Sequence, residues 1–63
     1  MKLWQFNRTD VSITLKNGVI VRGFVEDYCD ALDNAEEMDS LLVDVDGTPR
    51  EYFEDEILSI SVA

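Results

Sequence analysis

The stretch from Val11 to Val25 constrains the fold of this chain more than any other. Apolar and polar residues alternate from Val11 to Leu15, and a second apolar run begins at Val19 after Lys16-Asn17-Gly18. Alternation with a period of two and many β-branched residues is typical of half-buried strands. Two such runs separated by an Asn-Gly pair predict a β-hairpin.

The side chains of this hairpin select the length of its loop. A two-residue loop would pair Ile13 with Arg22 and place a charge among the core residues. A three-residue loop with Gly18 in the left-handed region pairs Ile13 with Val21, which keeps the apolar side chains on one face. We therefore predict the three-residue loop. Gly23, inside the second strand, indicates a bend or a close backbone approach, and such a bend lets a small sheet curl into a barrel.

Three further strands are predicted after this hairpin. They cover residues 41–45, 50–53 and 57–62, with a turn at 46–49 and a tight turn at 54–56. In the last strand, Leu58, Ile60 and Val62 share one face. The sequence thus predicts a mainly β fold, a strongly bent five-stranded antiparallel small barrel, in a single domain that spans residues 1–63.

Two segments do not follow the strand pattern. Residues 26–39 lack alternation, and we predict a long connection with one helical turn capped by Asn34. Near the N-terminus, Trp4 and Phe6 are large apolar side chains. They either close one open end of the core or anchor an interface between subunits.

Composition excludes most catalytic chemistry. The chain has no histidine and a single cysteine, Cys29, which we expect to be a small buried hydrophobe. Nucleophile–histidine pairs, disulfides and zinc clusters are therefore absent. We expect no enzyme, cofactor or metal, although carboxylates in residues 26–39, or Asp44 and Asp46, are a possible divalent-cation site. With no long apolar run and no leader pattern, we expect a cytoplasmic protein without membrane contact.

Charge divides the chain into two unequal parts. Of 5 basic and 14 acidic residues, which give a net charge of −9, four basic residues lie in residues 1–22. Residues 26–39 contain seven acids and no base. This stretch is either a solvated face or a docking surface for a basic protein or for the basic part of another copy. The predicted acidic surface consists of Glu26, Asp27, Asp30, Asp33, Glu36 and Glu37.

The first hairpin resembles the first motif of the Sm and Sm-like (LSm) family. That motif has alternating apolar residues, then Leu-x-x-Gly, then apolar-x-Gly-x-apolar. It is matched here by Leu15, Gly18, Val21, Gly23 and Val25. Residues 55–60 resemble the end of the family's second motif. The resemblance implies a bent five-stranded barrel of the Sm-like or SH3-like kind. It also implies edge-to-edge rings in which the fourth strand pairs with a neighbour's fifth.

Self-association is expected on physical grounds as well, because a core of this size needs additional stabilisation. The predicted edge contacts are Tyr52, Phe53, Leu58 and Ile60. We predict a non-catalytic adaptor that self-associates and binds a protein partner through the acidic surface.

The alternative is an RNA-binding Sm-like ring, since many Sm-like proteins bind uridine-rich RNA. The family's RNA-contacting Asp-x-x-Met-Asn has its nearest counterpart at residues 30–34, where only Asp30 and Asn34 match. The family's second contact, an Arg-Gly after the fourth strand, is replaced by Glu54 and Asp55. A chain with this net charge repels the phosphate backbone, which disfavours RNA.

Overall fold

Five antiparallel strands form one sheet, which confirms the predicted mainly β fold. The structure is a computed structural model that describes all residues from 1 to 63. The strand order across the sheet is β4-β3-β2-β1-β5. The strands are β1 (Asp10–Leu15), β2 (Ile20–Cys29), β3 (Ser40–Val45), β4 (Thr48–Phe53) and β5 (Ile57–Val62), and three 3₁₀ turns cover Leu3–Phe6, Ala31–Asp33 and Glu54–Glu56. None of these turns has the length and apolar character needed to cross a bilayer.

The loop between β1 and β2 has the predicted three residues. Ile13 lies opposite Val21. The Leu15 N–H donates to the Val19 carbonyl oxygen at 2.8 Å, and the Gly18 N–H donates back to the Leu15 carbonyl oxygen at 2.9 Å. Gly18 has a φ of 91°, the left-handed conformation that glycine adopts without strain.

Gly23 marks a close approach between β2 and β3. A Cβ at this position would lie 2.8 Å from Val43 Cγ1 and would collide with the carbonyl oxygen of Asp44. β2 pairs with β1 up to Phe24 and with β3 from Phe24 onward, so the long strand changes partner beside this glycine. Only glycine lets the two backbones come this close.

One face of the sheet carries the core. Because no second layer covers that face, the sheet must curl around it to shield these side chains from water. The sheet does not close, however, because β4 and β5 are its two free edges. The predicted term barrel therefore applies only to the curvature of the sheet. The buried core residues are Leu3, Val11, Ile13, Val25, Leu41, Val43, Tyr52 and Ile57.

The N-terminal 3₁₀ turn covers the core with different residues from those predicted. Leu3 is fully buried and Phe6 packs against the core, whereas Trp4 is 57% exposed. The prediction that Trp4 closes the core is therefore wrong. A 3₁₀ turn has three residues per turn, so Leu3 and Phe6 share its inner face while Trp4 points away.

β2 is longer than predicted, which shortens the connection to β3. Residues 26–29 belong to β2 and continue its pairing with β3. Glu26 is an extra residue that forms a β-bulge, since Val25 pairs with Val43 and Asp27 pairs with Leu42. A bulge offsets the alternation by one position and places Tyr28 on the same face as Val25. The period-two pattern is broken at that residue, although the strand continues.

The turn between β3 and β4 is shorter than predicted. Asp46 and Gly47 form a two-residue loop with φ values of 52° and 83°. Two positive φ values are the signature of the tight hairpin turns that match strand twist. β4 therefore begins at Thr48 rather than Arg50, and Pro49 lies within an edge strand.

Candidate functional site

The acidic surface predicted from the sequence is largely exposed. Five of its six members are exposed and Asp30 is half-buried. Glu26 and Asp27 lie on β2, and the others lie in the connection to β3. None of the six forms an ion pair, since no basic nitrogen lies within 4 Å of their carboxylates. A charged surface with no partner inside the chain is available to a basic partner outside it.

The connection between β2 and β3 is held by its own side chains. Asp30 accepts a hydrogen bond from the Leu32 N–H at 2.8 Å and so caps the 3₁₀ turn Ala31–Asp33. The Ala31 N–H donates to Asp39 Oδ1 at 2.9 Å. The helical turn therefore lies before Asn34 and is capped by Asp30, which corrects the prediction of a turn capped by Asn34. This arrangement lifts Leu32 into solvent, where it is 94% exposed.

Asn34 closes the other half of the connection. Its Nδ2 donates to the Met38 carbonyl oxygen at 2.7 Å and to Ser40 Oγ at 3.0 Å. The Ser40 hydroxyl, 1% exposed, donates to Glu51 Oε2 at 2.7 Å. The two side chains predicted as RNA contacts, Asp30 and Asn34, are thus both engaged in hydrogen bonds within the chain.

The carboxylates around the end of β2 also raise two pKa values. Partial burial first, and then the hydrogen-bonding and charge effects of Asp39, raise the pKa of Tyr28 to about 12. Partial burial, followed by the charges of Asp33 and Glu51, raises the pKa of the Cys29 thiol. Both groups therefore stay neutral at physiological pH, and a neutral thiol is a poor nucleophile.

The residues predicted for the sheet edges divide between core and surface. Tyr52 lies on β4 but its side chain is 9% exposed and belongs to the core. Ile60 packs against the core, and Phe53 is half-buried. Leu58 is 61% exposed because β5 has a bulge there: Ser59 pairs with Thr14, and the next pair joins Ile57 with Leu15. Of the four predicted edge residues, Leu58 is therefore the exposed apolar side chain that an edge contact could use, and Val62 of the same strand is 67% exposed.

A groove that the sequence analysis missed opens beside the first half of β2. Residues 20–23 of β2 pair with β1 only, so their other side faces the β3–β4 turn. The groove has a volume of about 750 Å³, and both Arg22 and Arg50 line it. Neither guanidinium has a carboxylate within 4 Å; the only ion pair in the molecule joins the N-terminal ammonium to Glu54 at 3.6 Å. In the sequence, the only indication of this groove is the pair of arginines that line it. They are distant in sequence, and they lie close together only because of the strand order.

The remaining basic and acidic groups form no further site. Arg8 lies over the Phe24 ring, 5.0 Å from its centroid, and donates to the Glu26 carbonyl oxygen at 3.4 Å. The buried Oδ1 of Asp44 has no hydrogen-bond partner. No three acidic, cysteine or histidine side chains are arranged to hold a metal ion.

Comparison with known proteins adds no assignment to these surfaces. The chain matches no protein-family description, no curated protein and no solved structure.

Proposed function

We propose that this chain is a non-catalytic adaptor of Sm-like type. It associates with copies of itself through the edges of its sheet and binds a basic protein partner through its acidic surface. The observation that carries the proposal is the open sheet, whose two free edges are β4 and β5. These are the strands that the resemblance to Sm-like proteins requires to meet in neighbouring subunits, and free edges invite pairing with another chain.

The acidic surface supports the second half of this proposal. Five of its six carboxylates are exposed and none has a basic partner within the chain, so a basic surface on another protein would form new ion pairs there. Charge complementarity of this kind accelerates association and selects partners. The same charges repel the phosphate backbone of RNA, and Asp30 and Asn34 are committed to bonds that hold the connection.

Solution mass and partner binding test the two halves separately. Sedimentation across a range of protein concentrations is expected to show a species larger than one subunit, and a monomer at all concentrations would contradict self-association. Titration with a basic protein and with uridine-rich RNA is expected to show salt-dependent binding of the former only. Tight RNA binding that is lost in Asn34→Ala would favour the ring-forming RNA-binding function instead.

A further inference from the structure

We propose that the groove lined by Arg22 and Arg50 receives the exposed Leu32 turn of a second copy of this chain. Copies would then associate head to tail. This contact rests on the self-association proposed above and adds to edge pairing a second surface with its own residues.

The groove combines apolar and basic side chains in one depression of the surface. It has a volume of about 750 Å³ and is open to solvent. Ile20, which is 62% exposed, and the half-buried Val21 and Val45 supply apolar walls. Arg22 and Arg50 add two guanidinium groups that no carboxylate of this chain neutralises. An apolar slot with free arginines fits an apolar side chain flanked by carboxylates.

The turn Ala31–Asp33 presents that combination. Leu32 is the most exposed of the large apolar side chains, at 94%. Its position is fixed by the Asp30 cap and by the hydrogen bond from the Ala31 N–H to Asp39. Asp33 lies next to it and is exposed. An apolar group held out in this way loses little conformational entropy when it binds, which favours association.

The groove and the turn lie apart in one copy, so a contact between them joins different copies. The groove is walled by residues 20–22 of β2 and by residues of β3 and β4 between Val45 and Tyr52, and Leu32 does not line it. The hydrogen bonds made by Asp30 and Asp39 hold the Ala31–Asp33 turn in its place outside the groove. A contact between two different surfaces repeats from copy to copy, and it closes into a ring or extends into a filament.

Two electrostatic effects oppose the contact between the groove and the turn. Asp46 lines the groove together with the arginines, and each copy carries a net charge of −9. The net repulsion is screened beyond a Debye length of about 8 Å at physiological salt, whereas ion pairs in direct contact are screened much less. The two guanidinium groups outnumber the single carboxylate in the groove, so the local charge still favours an acidic turn.

Sedimentation of single variants tests the contact on the intact chain. Leu32→Ser and Arg50→Glu are each expected to weaken self-association about tenfold, since each removes a central apolar or charged contact. Both residues are exposed, so circular dichroism should show an unchanged fold. Val19→Ser is the matched control, because Val19 is a 51% exposed apolar residue outside the groove, and it should associate like the wild type. Mixing Arg50→Glu with Asp33→Arg is expected to restore association between the two variants.

The outcomes distinguish this contact from the function on which it rests. If the wild type self-associates while Leu32→Ser and Arg50→Glu leave that association unchanged, the groove contact is overturned and edge pairing stands. If the mixture of Arg50→Glu and Asp33→Arg associates no better than either variant alone, the direct pairing of groove and turn is also overturned. A wild type that stays monomeric would instead contradict the self-association itself.

Discussion

The two free edges of the sheet, β4 and β5, differ in how many of their outward backbone N–H groups are free to donate to another chain. On β5, the Ala63 N–H donates to the Asp10 carbonyl oxygen of β1 at 2.9 Å. Because antiparallel ladders alternate, the Ser61 N–H also faces β1, whereas the N–H groups of Ile60 and Val62 face outward. β5 therefore presents two free donors, with the exposed Leu58 beside them.

On β4, most of the positions that face outward have no backbone N–H free to donate to another chain. The Glu54 N–H donates to the Asp39 carbonyl oxygen, and the same alternation turns Pro49, Glu51 and Phe53 outward. Pro49 has no N–H to donate. The Phe53 N–H already donates to Glu56 Oε1 at 3.0 Å. Only one outward donor, on Glu51, remains free along this strand.

This difference indicates that β4 is protected against pairing with another strand, whereas β5 is available for it. Proline and charged groups on an edge strand prevent uncontrolled pairing between sheets. β4 keeps its outward carbonyl oxygens, so it can still accept hydrogen bonds from the donors of a neighbour's β5. Two copies of β4 would pair poorly with each other, because they share the same shortage of donors. The asymmetry therefore favours β4-to-β5 pairing over β4-to-β4 pairing.

The largest effect is expected from Gly23→Val, which should abolish both edges together by disrupting the sheet. The added side chain collides with the Asp44 carbonyl oxygen and crowds Val43. Such overpacking costs about 1–3 kcal/mol or more, a large part of the roughly 3–5 kcal/mol that a core of this size supplies. Thermal melts should show a much lower melting temperature than that of the wild type.

Gly18→Val provides the comparison for that variant. Nothing lies within 4 Å of a Cβ at Gly18, but its φ of 91° strains any other residue. The expected loss of stability is about 1–2 kcal/mol. Equal melting temperatures for Gly23→Val and the wild type would contradict the close approach of β2 and β3.

The second largest effect is a loss of self-association through β5 alone. Leu58→Lys places a charge on the open edge and is expected to weaken self-association about tenfold, because lysine on an edge strand opposes pairing. Leu58 is exposed, so the fold should be retained. Val19→Lys introduces the same charge at an exposed apolar position directly after the β1–β2 loop and should have little effect in sedimentation. An equal effect of both substitutions would indicate a change of net charge rather than edge pairing.

Local signals explain why most of the fold could be predicted. The alternation of Val11 to Leu15 and the glycine at residue 18 specify the first hairpin without reference to the rest of the chain. The sequence pattern predicts Pro49 in the turn before the fourth strand, whereas the structure places it within β4. The extension of β2 was missed because the bulge at Glu26 interrupts the alternation that defines a strand.

The candidate surfaces depend on contacts that are distant in sequence. Arg22 and Arg50 meet at one groove only because β2 and β4 flank β3. The exposure of Leu32 follows from the cap by Asp30, whereas the pattern of residues 26–39 suggested a cap by Asn34. The bond between Glu56 and the Phe53 N–H protects β4 in a way that an acidic tripeptide does not reveal.

A smaller effect of opposite sign is expected when this protection is removed. Glu56→Ala frees the Phe53 N–H for an incoming strand, so self-association should strengthen about two- to tenfold, the value of one added hydrogen bond. Folding stability should fall by about 0.5–2 kcal/mol, as when a capping residue is lost. Asp55→Ala is the control, because it removes a neighbouring exposed carboxylate that makes no hydrogen bond to the Phe53 N–H. If Glu56→Ala weakened association as Leu58→Lys is expected to, the protective role of Glu56 would be wrong.

The smallest effect is a dependence of folding stability on high pH, through a tyrosine near the end of β4. Tyr28 has a pKa of about 12, compared with an ordinary value of 10.0. Partial burial is the main cause, followed by the hydrogen bond and charge of Asp39, and the charge of Glu54, the residue after β4, adds the smallest part. Between these two values the unfolded chain has released the tyrosine proton and the folded chain has not. The unfolded state then binds fewer protons, so stability should fall as pH rises from about 10 to 12.

Thermal melts across this range, with tyrosine ionisation followed by ultraviolet absorbance, would measure the fall. Tyr28→Phe should reduce it, and superimposable pH dependences for the two proteins would contradict the assignment to Tyr28.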